Sequence, residues 1–398
     1  MSPLRRRIRD LTLFGCGGLS AMSMAAVAPS LPEMSLYFSD HANIDLLARL
    51  VVSLPTLLLA LAGPLFGFLA DKIGRRPVLL FGAAIYAIAG PLPYILDDLH
   101  AILASRAALG LGMGILFTMP PALFADYYED IRTRRRSLAI YAAATAAGGV
   151  LFVLFGGIVA DIHWRAPFLL YLSVLAFLPG IIATVNEPAR KAPAVSADGT
   201  IARAPVPWTA LIAIYAMVAV TGGAFLQMPL NLPFLLVDIG TEQASIAGYA
   251  IAWPLILMAF GALLFPRLRA RLRNAWIYAF IATNMALGFA LLAVADGLVM
   301  VLVALFFFGV GMSQMYTNSS TWLLGLTGAA LRGRVLGGLT TAIYAGQFVL
   351  PFVAQPIIRE AGIRNAFMVL VVVLLCLAAA APLASRWARR SANGVQPS

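Results

Sequence analysis

The ten residues Gly67-Phe68-Leu69-Ala70-Asp71-Lys72-Ile73-Gly74-Arg75-Arg76 gather a carboxylate, three cations and two glycines into one short stretch. Such a set does no covalent chemistry. It makes ion pairs that form and break, with Gly74 permitting a tight turn and Gly67 a close helix approach. Asp71 is placed to meet a helix N-terminus or an arginine, and Arg75 and Arg76 to meet helix C-termini or acidic partners. A second candidate is Arg106, held inside an apolar run, where a charge is costly enough that function is the first expectation: proton coupling, or binding of an anionic substrate. The alternative stays open, because Arg106 lies only about five residues, roughly 7 Å, from the end of its run and could snorkel outward or bond backbone carbonyls.

A third set is neutral. Gln227 and Asn231, four residues apart and so on one helix face, accompany Gln314, Asn318, Tyr344 and Gln347 as donors and acceptors inside apolar runs, among Met228 and Met315. Such a lining suits adaptable, amphipathic ligands, though any of these groups can instead join one helix to another. No Asp or Glu falls at the middle of a run, so the embedded carboxylate expected for cationic drugs or direct proton exchange is missing, and an uncharged or anionic substrate is favoured.

Enzyme chemistry has little to work with. His41, His100 and His163 stand far apart, Cys16 and Cys376 both sit in apolar runs, and no Gly-Lys-Ser/Thr phosphate loop occurs. No cofactor, metal or intrinsic catalysis is expected. Gly110, Gly112 and Gly114 imitate a nucleotide loop, but no strand precedes them and they lie within an apolar helix, so close helix packing is expected.

The elements that must position these residues are membrane spans. Of 398 residues 61% are hydrophobic and 11% charged, against about 25% charged in a soluble domain. Apolar runs of spanning length fall near residues 11 to 31, 45 to 69, 77 to 96, 101 to 125, 137 to 160 and 166 to 186, and again near 208 to 236, 244 to 265, 275 to 295, 298 to 322, 335 to 358 and 365 to 386. The net charge of +11 does not point to nucleic acid, because the cations sit in short clusters between the runs. Placing the N-terminus, every second loop and the C-terminus in the cytoplasm collects all but five of the 28 Lys and Arg; the exceptions are Arg49, Arg106, Arg165, Arg359 and Arg364. Arg5, Arg6, Arg7 and Arg9 before an apolar run ending in Ala26-Val27-Ala28 imitate a signal peptide, but Pro29 follows at once, and an uncleaved first span is expected.

The two groups of six runs repeat each other. Gly110 and Gly112 recur 199 residues later as Gly309 and Gly311, and Arg165 and Phe168 as Arg364 and Phe367. Arg134, Arg136, Leu138 and Gly148 recur at an offset of 198 as Arg332, Arg334, Leu336 and Gly346. The expected fold is all-α and integral to the membrane, with twelve helices in two pseudo-symmetric bundles: residues 1–186, a cytoplasmic linker 187–207, and 208–398. A cavity along the seam of the halves and rocking between them are the expected consequences.

The segment Gly67 to Arg76 resembles the signature loop of the major facilitator superfamily at every defining position. The resemblance implies a transporter in which Asp71, Arg75 and Arg76 latch the cytoplasmic side when the carrier faces outward, with Asp126 at the end of the fourth span as the partner of Arg76. Arg106 with Gly110, Gly112 and Gly114 resembles the second motif of the family, with Leu109 in place of its usual Gln. Ala28-Pro29-Ser30-Leu31-Pro32 looks like the drug:proton antiporter branch. In the fifth span Gly156 and Gly157 match that branch, whereas Phe152 and Val153 replace its Gly-Pro pair. Asp161, Trp164, Arg165 and Phe168 match a common family pattern with a structural role. The expected function is export of a small molecule by a monomer in the bacterial inner membrane, coupled to protons; proton-linked or facilitated import, or solute sensing without movement, are the alternatives.

Overall fold

An apolar run in lipid must satisfy every backbone N–H and C=O within itself, which leaves the helix as its only open form. The computed structural model describes residues 2–22, 26–188, 208–327 and 331–393, with side chains described to residue 382, and no strand occurs among them. Its α-helices are α1 (Pro3–Met22), α2 (Leu31–Tyr37), α3 (Ile44–Ile73), α4 (Arg75–Ala89), α5 (Leu99–Tyr127), α6 (Ile131–Ala160), α7 (Val174–Thr184), α8 (Trp208–Asp238), α9 (Ala244–Gly261), α10 (Phe265–Arg271), α11 (Asn274–Ala293), α12 (Leu298–Met312), α13 (Met315–Leu326), α14 (Arg332–Ala361) and α15 (Ile363–Asn393). Among the described residues eleven segments are long and apolar enough to cross a membrane. The expected first span contains residues 23–25, outside the described residues, as is the linker from residue 189 to 207.

Three expected spans are built differently from the simple runs. The sixth begins as a 3-10 helix, Ala166–Ser173, before α7. The eighth continues past Gly261 through a 3-10 turn, Ala262–Leu264, into α10. The tenth breaks at Ser313 and Gln314 into α12 and α13.

The helices cluster into two compact units, Met1–Pro205 and Val206–Ser398. In the first, α3 packs on α5, α4 on α5 and α1 on α6; in the second, α9 packs on α12, α11 on α12 and α8 on α14. The repeat is realised atom for atom at these contacts. A Cβ on Gly110 would stand 2.6 Å from Pro55 O, and one on Gly309 2.9 Å from Pro254 O, each pair 199 residues apart. A Cβ on Gly112 would stand 3.0 Å from Gly82 O and one on Gly311 2.9 Å from Ile281 O, again 199 apart. Small residues let the backbones meet, which is how spans associate without a hydrophobic drive between them.

The loops are fixed locally. Asp98 accepts from the His100 and Ala101 amides and Asp130 from those of Arg132 and Thr133, capping the N-termini of α5 and α6. The Ala101 amide, ahead of the cost of desolvation, holds the Asp98 carboxyl below its ordinary range; at Asp130 the Thr133 side chain leads and the Thr133 amide adds to it.

Candidate functional site

The loop between α3 and α4 turns on Gly74, at φ +105°, a conformation L side chains rarely adopt. A Cβ there would also lie 2.7 Å from Cδ of Glu187. That carboxylate occupies the N-terminus of α4: the Arg75 amide donates to Oε1 and the Arg76 amide to Oε2, each at 2.8 Å. Pro77 has no N–H and the Gly74 amide donates to Ala70 O, so both amides that the start of α4 leaves open are met by a carboxylate over one hundred residues away, with the helix dipole favouring its charge.

The side chains of the loop divide the remaining work. Arg75 Nη1 pairs with Asp126 Oδ2 at 2.8 Å and donates to Ala122 O. Arg76 turns instead to the last turn of α7, where Nη2 donates to Ile182 O at 2.9 Å. Asp126 is therefore the partner of Arg75 and not of Arg76; the freed carbonyls ending α7 draw Arg76 the other way. Asp71 lies on the exposed side of the last turn of α3. Gly67 does not serve a close approach, since within its own unit a Cβ there would meet nothing within 4 Å. With about a quarter of each side chain exposed, the Arg75–Asp126 pair contributes at most about 1 kcal/mol, and a weak pair is one that can open.

Around this loop lies a network that the spacing of residues did not reveal. Tyr128 donates its hydroxyl to the Asp10 carboxylate and Tyr127 to Asn186 O, while the Arg9 guanidinium sits 4.0 Å from the centre of the Tyr127 ring. Arg9 also pairs with Asp10 at 2.9 Å. The adjacent tyrosines ending α5 were the available signal, as phenols at a span end find polar partners.

Arg106 is 1% exposed, with Nη2 donating to Ala89 O at 2.8 Å and Gly90 O at 2.6 Å. Prolines explain why those carbonyls are free. Residue 93, which would serve Ala89 O in a continuing helix, is Pro93, and the Tyr94 amide that would serve Gly90 O donates to Pro91 O instead. The guanidinium carbon also lies 5.0 Å from the centres of both the Phe168 and Tyr171 rings, and Nη1 is buried without a hydrogen-bond partner among the described residues. Of the two roles left open by sequence, carbonyl capping is the one these contacts display.

The neutral set is brought together only in part. Asn231 Nδ2 donates to Gln227 Oε1 at 2.7 Å and to Gln227 O at 2.9 Å, which makes one unit of the two. Gln314 Nε2 donates to Gly261 O, joining the breaks of the eighth and tenth spans, and Asn318 Nδ2 donates to Asn274 O at 3.0 Å at the start of α11. These two act as ties between helices. Gln227 Nε2, Gln314 Oε1, Asn318 Oδ1 and Gln347 Oε1 are each buried without a partner among the described residues, and Tyr344 is half-buried on α14. Four buried polar atoms left open in this way are the ones best prepared to receive a ligand.

A Cβ on Gly114 would come 3.0 Å from Leu59 O, one on Gly156 would strike Ala26, and Gly157 is buried on α6.

Comparison with known proteins agrees with this architecture. The chain is 30% identical over 158 residues to "Multidrug efflux pump LfrA" of Mycolicibacterium smegmatis, a match covering 39% of this chain and 31% of that protein. It is 30% identical over 177 residues to "Multidrug resistance protein MdtG" of Enterobacter lignolyticus, covering 44% of this chain and 41% of that one. The aligned part is therefore less than half the length of either relative. The fold is that of a solved peptide transporter, POT, with a TM-score of 0.80 at 15% identity over 95% of this chain and 94% of that one. The profile described as "Major Facilitator Superfamily" matches residues 13–351, and the chain accordingly belongs to this superfamily of membrane transporters, a family of carriers and not of enzymes.

Proposed function

We propose that this chain is a secondary carrier that exports small organic solutes in exchange for protons, by alternating access, as a monomer in a bacterial inner membrane with both termini cytoplasmic. The observation that carries the direction is the likeness to two bacterial proteins named for multidrug efflux and multidrug resistance. The antiporter-like Ala28-Pro29-Ser30-Leu31-Pro32 in the first span supports it. In this reading Asp71, Arg75, Arg76 and Asp126, with Gly67 and Gly74, form the cytoplasmic latch, and the partly exposed Arg75–Asp126 pair is weak enough to open in each cycle. Gln227, Asn231, Gln314, Asn318, Tyr344 and Gln347 are the substrate-binding candidates, with open polar atoms on Gln227, Gln314, Asn318 and Gln347. Arg106 is assigned to coupling or to an anionic group of the solute, through Nη1, which has no hydrogen-bond partner among the described residues.

A second reading is import of an uncharged or anionic metabolite, linked to protons or facilitated. The missing mid-span carboxylate and the replacement of the antiporter Gly-Pro by Phe152 and Val153 favour it. Sealed vesicles with opposed proton gradients separate the readings. Dye or drug movement that follows reversal of the gradient supports export; saturable binding without movement identifies a sensor. If resistance of a host strain to toxic compounds is unchanged while uptake of one nutrient falls, import replaces export. Asp71→Asn is expected to slow turnover several-fold with normal membrane insertion, and an unchanged rate sinks the latch assignment.

A further inference from the structure

The ends of the two units that carry the basic loops differ in charge balance. In the first unit the loop from Gly67 to Arg76 works with Asp71, Asp126 and Glu187; 199 residues later stand Ala270, Gly325 and Arg386. From Val206 to Ser398 the carboxylates are Asp238, Glu242, Asp296 and Glu360, all at the opposite end of that unit's helices. Into this acid-free end the chain places Arg267, Arg269, Arg271 and Arg273, all exposed, alternating along α10 and the turn after it. Arg267 and Arg271 stand four residues apart on α10, a repulsive spacing on a helix, and Arg273 follows in the extended turn after it. Arg269 Nη1 donates to Leu272 O at 3.3 Å, and no carboxylate pairs with any of the four among the described residues. The dipole at the C-terminus of α10 offsets a part of the repulsion and no more.

The surroundings say what kind of anion supplies the rest. Just before the arginines the eighth span exposes Phe260, at 67%, and Leu263, at 68%, and just after them α11 exposes Trp276 at 48%. An acyl-facing apolar edge, a run of guanidinium groups and an indole within 20 residues of chain are the layers met in order at the boundary of a bilayer. We propose that the corner formed by α10 and the start of α11 is a binding site for an anionic phospholipid, the phosphate held by Arg267 and Arg271 on one face of α10, with Arg269 and Arg273 adding positive charge beside it, and the chains lying against Phe260 and Leu263. The lipid supplies the negative charge that Asp71, Asp126 and Glu187 supply in the first unit. The leaflet concerned is cytoplasmic only under the orientation proposed above; binding in micelles does not depend on it, so the two claims fail separately.

The test uses the full chain in maltoside micelles, titrated with phosphatidylglycerol, phosphatidylcholine or glycerol 3-phosphate, with retained lipid read by native mass spectrometry and stability by thermal melting. Wild type should retain phosphatidylglycerol over phosphatidylcholine, and R267Q/R269Q/R271Q/R273Q should lower that preference about tenfold or more, since each basic residue near an anionic surface contributes several-fold. The corresponding Arg→Lys variant should keep most of it. If the quadruple Gln variant does not fold, the pair R267Q/R271Q is expected to lose about half of the preference on a logarithmic scale. R132Q/R134Q/R135Q/R136Q on α6 should retain the preference. The proposal is overturned if the Gln variants bind as wild type does, if the α6 variant loses as much, or if glycerol 3-phosphate protects as well as the lipid.

Discussion

Gly110 meets Pro55 in the first unit as Gly309 meets Pro254 in the second, yet four residues before each glycine the chain holds Arg106 in one case and Leu305 in the other. The places around them differ to match. Gly90, whose carbonyl accepts a hydrogen bond from Arg106, corresponds to Phe289, whose ring packs at 5.4 Å from both Phe308 and Phe367. Phe367 is in turn the counterpart of Phe168 beneath the guanidinium. One plan therefore admits either a buried cation or an aromatic cluster. What decides is the helix opposite: α4 ends at Ala89 before Pro91 and Pro93 and leaves carbonyls open, whereas α11 runs on to Ala293 and keeps its own. Arg106 is not required by the contact it shares with Leu305; it is required by the prolines.

The largest effect expected from this contrast comes from Leu305→Arg. The second unit offers that guanidinium three phenyl rings and no free carbonyl, so the cost is about 3 kcal/mol or more and little folded protein should survive gel filtration in detergent. A variant that melts like wild type would show that the site adapts to either residue and would end the comparison.

Arg106→Leu should cost about 2–4 kcal/mol, because Ala89 O and Gly90 O lose their donor while buried. The double variant P93A/R106L returns an amide to residue 93 and should recover the larger part of the melting temperature. Stability and transport then separate. If the double variant is stable and also transports, Arg106 is a cap alone; if it is stable and inactive, Nη1 of Arg106 carries the coupling or anion-binding role proposed above.

Below these stand Gly110→Ala and Gly309→Ala. Each new methyl would come within 3 Å of a proline carbonyl on the neighbouring span, so each should lower stability by about 1–3 kcal/mol and by similar amounts. Equal losses sharpen the equivalence of the two contacts. A loss at one position only, measured by thermal melting in the same detergent, would break it.

The glycine and arginine pairs at the shared offset, and with them the doubled plan, stood in the sequence because helix contacts in lipid depend on small side chains at fixed positions. The carbonyl role of Arg106 was also there to be read, in Pro91 and Pro93. Glu187 was not: its target amides lie over one hundred residues earlier, and nothing in the run Val185-Asn186-Glu187-Pro188 says which helix start it reaches. The breaks at Gly261 and Gln314 escaped for another reason. Hydropathy runs unbroken through both, and the interruption is held by a single bond from Gln314 to Gly261 O between two spans, a tertiary feature that no local pattern records.

The smallest expected effect tests the ends of the same two plans that lie opposite the basic loops. Arg165 donates to Tyr94 O and pairs with Asp97 at 2.5 Å; its counterpart Arg364 donates to Ala293 O and lies 3.6 Å from Asp296, each partner 199 residues on. The hydrogen bond from Arg165, followed by its charge, holds the Asp97 carboxyl below the ordinary carboxylate range. A carboxyl lowered in the folded state adds stability that is present above its unfolded pKa, about 3.9, and is lost as pH falls through the lower folded value. Asp97→Asn should therefore melt slightly below wild type at neutral pH, with the gap closing on acidification below about pH 4. Asp296, 92% exposed and farther from its arginine, should tolerate Asn without a change in melting temperature at either pH. A gap for Asp97→Asn that does not narrow in acid, or an Asp296→Asn variant that loses as much, would mean that the arginines hold these corners through the carbonyls of Tyr94, Ala293 and Ala295 alone, and that the acids beside them are bystanders.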